Sequence, residues 1–149
     1  MCGSLRGCGS FELRGDMKMR SLIVGMAIVT ASTAAFAGGA DGVWRTEADD
    51  QGAYLEVTIA PCESDSSKTC GKISKALTKH GADPNYANLG RLIVKDMESG
   101  DGTNYSGGTI WDPVHDKIFK SKMHLRGDDL DVKGCVSIIC SGQDWKRVK

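Results

Sequence analysis

Residues 105–125, YSGGTIWDPVHDKIFKSKMHL, decide the fold that the sequence predicts, because two strand-like runs meet there across an Asp112-Pro113 turn. Pro113 fixes the φ angle that a type I or type II turn requires at its second position. The glycines at 107 and 108 allow the first run to bend or bulge, since glycine has no Cβ. The stretch is therefore predicted to be a β-hairpin.

Apolar and polar residues alternate beyond the turn, as expected of a strand with one buried and one solvated face. One face carries Phe119, Ser121, Met123 and Leu125, and the other carries Ile118, Lys120, Lys122 and His124. Residues 53–60 alternate in the same way, with three apolar residues on one face: Leu55, Val57 and Ile59. These two runs predict which side chains point into a core.

Short strand-like runs separated by turn residues recur from residue 42 to a closing run at 143–148, and none keeps a helical period over three turns. Residues 79–89 form the longest irregular segment. This spacing predicts an all-β protein, an antiparallel up-and-down β-barrel of about eight strands. Closure would remove exposed strand edges, and a β-sandwich of the same strands is the alternative.

The N-terminal part has the pattern of a cleaved export signal. Lys18 and Arg20 precede a short apolar run at 22–29, and Ala35-Phe36-Ala37 is a small-x-small cleavage site. A membrane-spanning helix needs about 20 apolar residues, so this run predicts no transmembrane anchor. Cleavage is expected after Ala37.

Two regions follow from that reading. Residues 1–37 are an N-terminal extension plus the signal, and residues 38–149 are a single barrel domain of 112 residues located in the periplasm or secreted. The segment 1–16 adds nothing to a signal that Met17 or Met19 could start.

The domain keeps four of the six cysteines, an even number that in an oxidising compartment indicates disulfides. Closeness in sequence favours Cys62 with Cys70 and Cys135 with Cys140. The loop-entropy relation gives about 2.6 and 2.2 kcal/mol for rings of these sizes. A zinc site of all four cysteines is disfavoured, because one spacing is C-x7-C rather than a short knuckle.

Charge and composition exclude other classes. The domain has 15 Lys and Arg against 17 Asp and Glu, interspersed, so its formal charge of −2 offers no basic patch for nucleic acid. His80, His115 and His124 are not at metal-ligand spacing, so no metal or cofactor is expected. Ser106 and Ser141 lie outside a G-x-S-x-G motif, which predicts that the protein is not an enzyme, and we expect a monomer.

Five short segments occur in order along the domain: Gly42-Val43-Trp44, Cys70-Gly71-Lys72-Ile73, Gly107 to Pro113, Gly134-Cys135 and Gln143 to Val148. Together they resemble the exported bacterial family DUF2147. The resemblance covers nearly all of residues 41–149. It departs from the family pattern in two turns, where this chain has Asp116 and Asp83-Pro84-Asn85.

The resemblance implies an exported domain similar in layout to small lipocalin-like barrels, with no established activity. Gly-x-Trp on a first strand and an arginine near the last also resemble the lipocalin and streptavidin group, in which the tryptophan closes the barrel base under the arginine. Carried over, that resemblance implies these closing roles for Trp44 and Arg147. Gly42, Trp111 and Pro113 are also expected to be structural residues.

A ligand cavity would be lined by the inward apolar residues, although a solid core would need the same side chains. The candidates are Leu55, Val57, Ile59, Ile73, Leu77, Phe119, Met123 and Leu125. We therefore expect a non-catalytic protein that binds a small apolar ligand or lipid in the cell envelope. The alternative is an interaction module that acts through its surface or through the loop around Tyr86.

Overall fold

The computed structural model describes residues 39–149, so the extension and signal expected in residues 1–37 lie outside the described part. Ten β-strands follow one another: β1 Gly42–Arg45, β2 Tyr54–Pro61, β3 Thr69–Thr78, β4 Gly81–Ala82, β5 Leu92–Ser99, β6 Asn104–Ser106, β7 Thr109–Asp112, β8 Lys117–Arg126, β9 Asp129–Val136 and β10 Ile139–Arg147. Within these residues the structure has no helix, and hence none long and apolar enough to cross a membrane.

Every strand pairs antiparallel with its neighbours, and the sheet closes on itself. β1 pairs with both β2 and β10, and β3 pairs with β5, which completes the ring. β6 and β7 pair with the same two strands, β5 and β8, and together occupy one position. The result is an eight-stranded closed barrel, to which β4 adds a short pairing on β3. The predicted barrel is confirmed, and the β-sandwich alternative is wrong because the hydrogen-bonded ring has no break.

The central hairpin forms as the sequence predicts. β7 and β8 pair from Thr109 with Lys120 to Asp112 with Lys117. The carboxylate of Asp112 accepts hydrogen bonds from the amides of Val114 at 2.8 Å and His115 at 3.3 Å, which stabilises the turn after Pro113.

The alternating residues place their apolar members inside. Val57, Ile59 and Ile73 are at most 1% exposed, and Met123 and Leu130 are also buried. They fill the half of the barrel in which β2 ends and β9 begins. The predicted inside face of β2 and β8 is therefore confirmed.

One disulfide lies at each end of the barrel. Cys62–Cys70 joins the end of β2 to the start of β3, with the Cα atoms 4.9 Å apart. Cys135–Cys140 joins β9 to β10 across their turn, with the Cα atoms 4.1 Å apart. Both hairpins are thus covalently fixed.

Candidate ligand cavity

One end of the barrel is closed by Trp44 under Arg147. Trp44 is fully buried, and the guanidinium carbon of Arg147 lies 4.2 Å from the centre of a Trp44 ring. Arg147 also donates to the carbonyl oxygens of Asp41 at 2.8 Å and Gly39 at 3.2 Å. Cation–π attraction and these hydrogen bonds hold the segment before β1 across the barrel base.

A second set of hydrogen bonds fixes the same closing segment. The Trp44 indole donates to the carbonyl of Ala40 at 2.7 Å, and the Ala40 amide donates to the Tyr105 hydroxyl at 2.9 Å. That hydroxyl donates in turn to the carbonyl of Gly102 at 3.1 Å. Ala40 and Tyr105 are buried, so this end of the barrel is packed and its polar atoms are satisfied.

The opposite half contains a cavity of about 970 Å³. Inward side chains from seven strands form its apolar wall: Leu55, Ala76, Ile93, Ile110, Phe119, Val132 and Trp145. The cavity begins above the packed residues of the closed half. Several turns surround its mouth, including those between β1 and β2, β7 and β8, and β9 and β10.

The mouth carries more acidic than basic side chains. Four carboxylates line it, from Glu47, Asp49, Asp83 and Asp112. Lys117 and His115 are the basic side chains that line it among the described residues. Polar groups therefore lie at the entrance, while the wall below them is apolar.

Asp112 and His115 form a polar pair at this entrance. His115 Nδ1 lies 2.7 Å from Asp112 Oδ2. Burial raises the pKa of Asp112, but the hydrogen bonds from the His115 side chain and from two backbone amides outweigh it, so its pKa lies below the usual value. No serine or cysteine side chain among residues 39–149 hydrogen-bonds to His115. The pair thus lacks the hydroxyl or thiol partner that nucleophilic catalysis requires.

Trp111 joins the wall to the turn beside it. It is buried and lines the cavity, and the guanidinium carbon of Arg91 lies 3.5 Å from its ring centre. Its indole donates to Asp116 at 2.8 Å, and Arg91 lies 3.6 Å from the same carboxylate. This cluster fixes one edge of the cavity mouth.

The family profile described as "Uncharacterized protein conserved in bacteria (DUF2147)" matches residues 42–147. The chain belongs to the DUF2147 family. The resemblance found in the sequence is thereby confirmed. Among solved structures, the DUF2147 barrel is similar to protein HP1028 from Helicobacter pylori, described as belonging to the lipocalin family. The TM-score is 0.56 at 14% identity, over 73% of this chain and 82% of that chain, which shows a shared fold. No match is found among curated proteins.

The predicted cavity residues of this DUF2147 chain lie in two different places. Leu55, Leu77 and Phe119 line the cavity. The others lie deeper, in or against the packed core: Val57, Ile59, Ile73, Met123 and Leu125. Alternation identifies the inside face of each strand but not the height along the barrel axis at which packing stops.

The sequence reasoning missed several wall residues. Ile110, Val132 and Trp145 line the cavity but were not among the candidates. Val132 could have been found, because Leu130 and Val132 alternate with Asp129 and Asp131 on β9. Trp145 carries no local alternation, because five of the six residues before it in β10 are exposed.

The long loop around Tyr86 contributes side chains to the cavity. Tyr86 is half-buried, packs against the core and lines the cavity. The amide of Asp83 donates to the carbonyl of Ala76, which holds the loop on β3. Asp83 and Tyr86 of this loop therefore line the cavity, while most of its other residues are exposed.

One group among the described residues has metal-ligand proximity: Cys62, Cys70 and Asp96, whose ligand atoms lie within 4.8 Å of one another. Both cysteine sulfurs are joined in a disulfide and offer no thiolate. The remaining single carboxylate does not make a metal site.

Proposed function

We propose that this DUF2147 protein is an exported, non-catalytic binding protein that holds one small apolar ligand or lipid in its barrel. The observation that carries the proposal is the cavity of about 970 Å³ with an apolar wall and one open end. Ligand pockets are commonly about 300–1,000 Å³, and an eight-stranded barrel is wide enough to enclose one small ligand.

The division of the barrel into a packed half and a hollow half supports this function. Side chains such as Val57, Ile73 and Val94 already fill the closed half. The space above them is therefore left open, although Ile93, Val132 and Trp145 in its wall also belong to the core. A ligand that loses about 300 Å² of apolar surface to such a wall gains roughly 7 kcal/mol before the cost of association is counted.

The placement of polar groups suggests the form of the ligand. Glu47, Asp83 and Gln143 line the cavity, whereas Ile93, Ile110 and Phe119 form apolar wall. The ligand therefore has an apolar body, which contacts the wall, and a small polar group, which lies at the entrance.

Export to the cell envelope is supported by the covalent structure. Two disulfides indicate an oxidising compartment outside the cytoplasm, in keeping with the export signal expected in residues 1–37.

A binding role without catalysis is supported by the side chains around the cavity. The titratable pair at the mouth, Asp112 with His115, has no nucleophile hydrogen-bonded to it among the described residues. Catalysis would require convergent groups with roles that fit one another, and an apolar wall supplies none.

Native mass spectrometry of the protein recovered from expressing cells tests the proposal. We expect a stoichiometric non-covalent adduct, and organic extraction followed by mass analysis then gives its chemical class. A folded protein that carries no adduct and gains none from the lipid extract of the same cells contradicts the proposal.

A matched pair of variants on β2 locates the site. Leu55→Trp fills the cavity from its wall, whereas Thr58→Trp places the same side chain on the outer face of the same strand. We expect Leu55→Trp to lose the adduct and Thr58→Trp to keep it, with both proteins folded by circular dichroism. Equal retention by both variants would place the ligand outside the cavity.

A further inference from the structure

Two neighbouring turns at the cavity mouth expose large aliphatic side chains to solvent. At the turn between β9 and β10, Ile138 is 94% exposed and Ile139, the first residue of β10, is 74% exposed. Val136 at the end of β9 is also largely exposed, as are Val114 and Ile118 in and beside the β7–β8 turn. We call these five residues the apolar tips.

The register of β8 with β9 brings the two turns to one side of the mouth. Lys120 lies opposite Cys135, so the start of β8 and the end of β9 are adjacent. The Cys135–Cys140 disulfide fixes the second turn. Val114, Val136 and Ile139 also line the cavity, so the apolar tips are continuous with its wall.

β8, which follows the first of these turns, carries three lysines. The outer face of β8 presents Lys120 and Lys122, and Lys117 begins the strand. None of these three forms an ion pair with any residue from 39 to 149. The carboxylates of the nearby turn are paired, Asp112 with His115 and Asp116 with Arg91.

We propose that the apolar tips dock the barrel on an anionic phospholipid bilayer, with the cavity mouth directed at the lipid. Aliphatic side chains on turns enter the headgroup region, and the unpaired lysines of β8 lie over the anionic headgroups. Asp49 and Asp83 belong to the turns that flank β2 and β3, away from β8 and β9, and the Glu47 carboxylate accepts a hydrogen bond from the Asp144 amide of β10. The barrel therefore meets the bilayer tilted onto β8 and β9.

The charges favour a bilayer over a second copy of the chain. A two-fold contact would place the same surface of both copies together, and so bring Lys117, Lys120 and Lys122 of each copy close to one another. Like charges in such a contact are destabilising, whereas anionic headgroups neutralise them. The proposal does not depend on ligand binding, because docking requires only the tips and the lysines.

Vesicle flotation tests the docking. The protein recovered from expressing cells, with its N-terminus determined by mass spectrometry, is mixed with vesicles of phosphatidylglycerol and phosphatidylethanolamine or with vesicles of phosphatidylcholine alone. We expect flotation with the anionic vesicles, little with the neutral ones, and release at high salt.

Two pairs of variants locate the contact. Ile138→Asp should lower the partition constant roughly tenfold or more, and Val148→Asp, at the closed end, should leave it unchanged. The double variant Lys120→Gln with Lys122→Gln should lower it roughly 30-fold, at about fivefold for each lysine, while Lys149→Gln should not change it.

Three results would overturn the proposal. They are absence of flotation by the wild-type protein, equal flotation by Ile138→Asp and Val148→Asp, and a wild-type dimer in sedimentation that Ile138→Asp dissociates without any vesicle binding. The last result would assign the tips to self-association. A ligand adduct found by native mass spectrometry in any of these cases leaves the proposed ligand function standing.

Discussion

Arg147 shows at the residue scale how one side chain can hold a barrel end. Its guanidinium lies on Trp44, donates to two carbonyls before β1 and is 3.3 Å from the Asp128 carboxylate. A planar group with several donors can make these contacts together, whereas the single ammonium of a lysine cannot. The closure therefore depends on arginine and not merely on positive charge.

Arg147→Lys should lower the free energy of unfolding by about 1–3 kcal/mol, because the stacked contact and at least one hydrogen bond are lost. Urea unfolding measures this change. Arg126→Lys is the matched control, since Arg126 pairs with Asp144 on the exposed surface, and we expect a change within about 0.5 kcal/mol. Equal changes in the two variants would contradict the role of Arg147.

The carboxylate of Asp112 should make stability depend on pH. Its pKa is lowered in the folded state, so its contribution is present above the ordinary aspartate pKa and is lost as pH falls through the folded value. Asp112→Asn should cost about 1 kcal/mol at pH 7, because the turn amides and His115 lose a charged acceptor. As the pH is lowered from 7 to 2, the urea midpoint of Asp112→Asn should approach that of the wild type.

The control for that measurement is Asp50→Asn, which removes a carboxylate that accepts no hydrogen bond in the described part of the chain. A constant difference between Asp112→Asn and the wild type at every pH would show that the effect is steric rather than electrostatic.

At the scale of elements, Gly107 and Gly108 join β6 to β7, and these two short strands together occupy one strand position of the barrel. Gly107 has a φ of +79°, which favours glycine. A Cβ on Gly108 would lie 2.2 Å from the Lys95 carbonyl oxygen and 2.6 Å from the Met97 sulfur. The backbone would therefore have to move to accommodate any side chain at residue 108.

Gly108→Ala should therefore destabilise the barrel by about 3 kcal/mol or more. Thermal or urea unfolding measures the loss. Gly100→Ala is the control, because its nearest atom would be 3.9 Å away, an ordinary contact. Equal stability of the two variants would contradict the close packing of Gly108 against Lys95 and Met97.

The disulfide of the β9–β10 hairpin provides a second test at this scale. The variant with both Cys135→Ser and Cys140→Ser should lose about 2 kcal/mol, the loop entropy of a six-residue ring. The free energies of unfolding of the variant and the wild type, compared under the same conditions, measure this loss of stability. A much smaller loss would mean that the hairpin is already ordered in the unfolded chain.

The elements also show what the sequence could predict. The alternation in β2 and β8 indicated their inside faces, and the glycine pair and Pro113 indicated the central hairpin. The start of β10 was placed at Gln143, whereas it is Ile139, because Ser141 and Gly142 look like turn residues. A Cβ on Gly142 would lie 1.9 Å from the Val132 carbonyl, so this glycine reflects a close approach between strands.

At the scale of the whole molecule, the two ends of the barrel differ in how their interiors are filled. One is packed under Trp44, and the other is a hollow whose rim combines acidic turns with apolar tips. The number and spacing of strands predicted a barrel, because about eight antiparallel strands can close on themselves. The depth of the hollow depends on where side chains from distant strands meet, which local patterns do not specify.

Thiol titration tests the covalent state of the whole protein. The denatured, unreduced protein cleaved after Ala37 should contain no free thiol, since all four remaining cysteines are paired. Two free thiols together with an N-terminus at residue 1 or 2 would mean that Cys2 and Cys8 are retained. Two free thiols in the cleaved protein would contradict one of the disulfides.

The pairing of β1 with β10 also sets the order in which the chain can fold. Trp44 lies opposite Arg147, more than 100 residues later in the sequence. In the export that we propose, a chain that emerges with its N-terminus first cannot close the barrel before β10 has followed. Until then one edge of β1 would have no partner strand, and a chaperone or a neighbouring chain could occupy it.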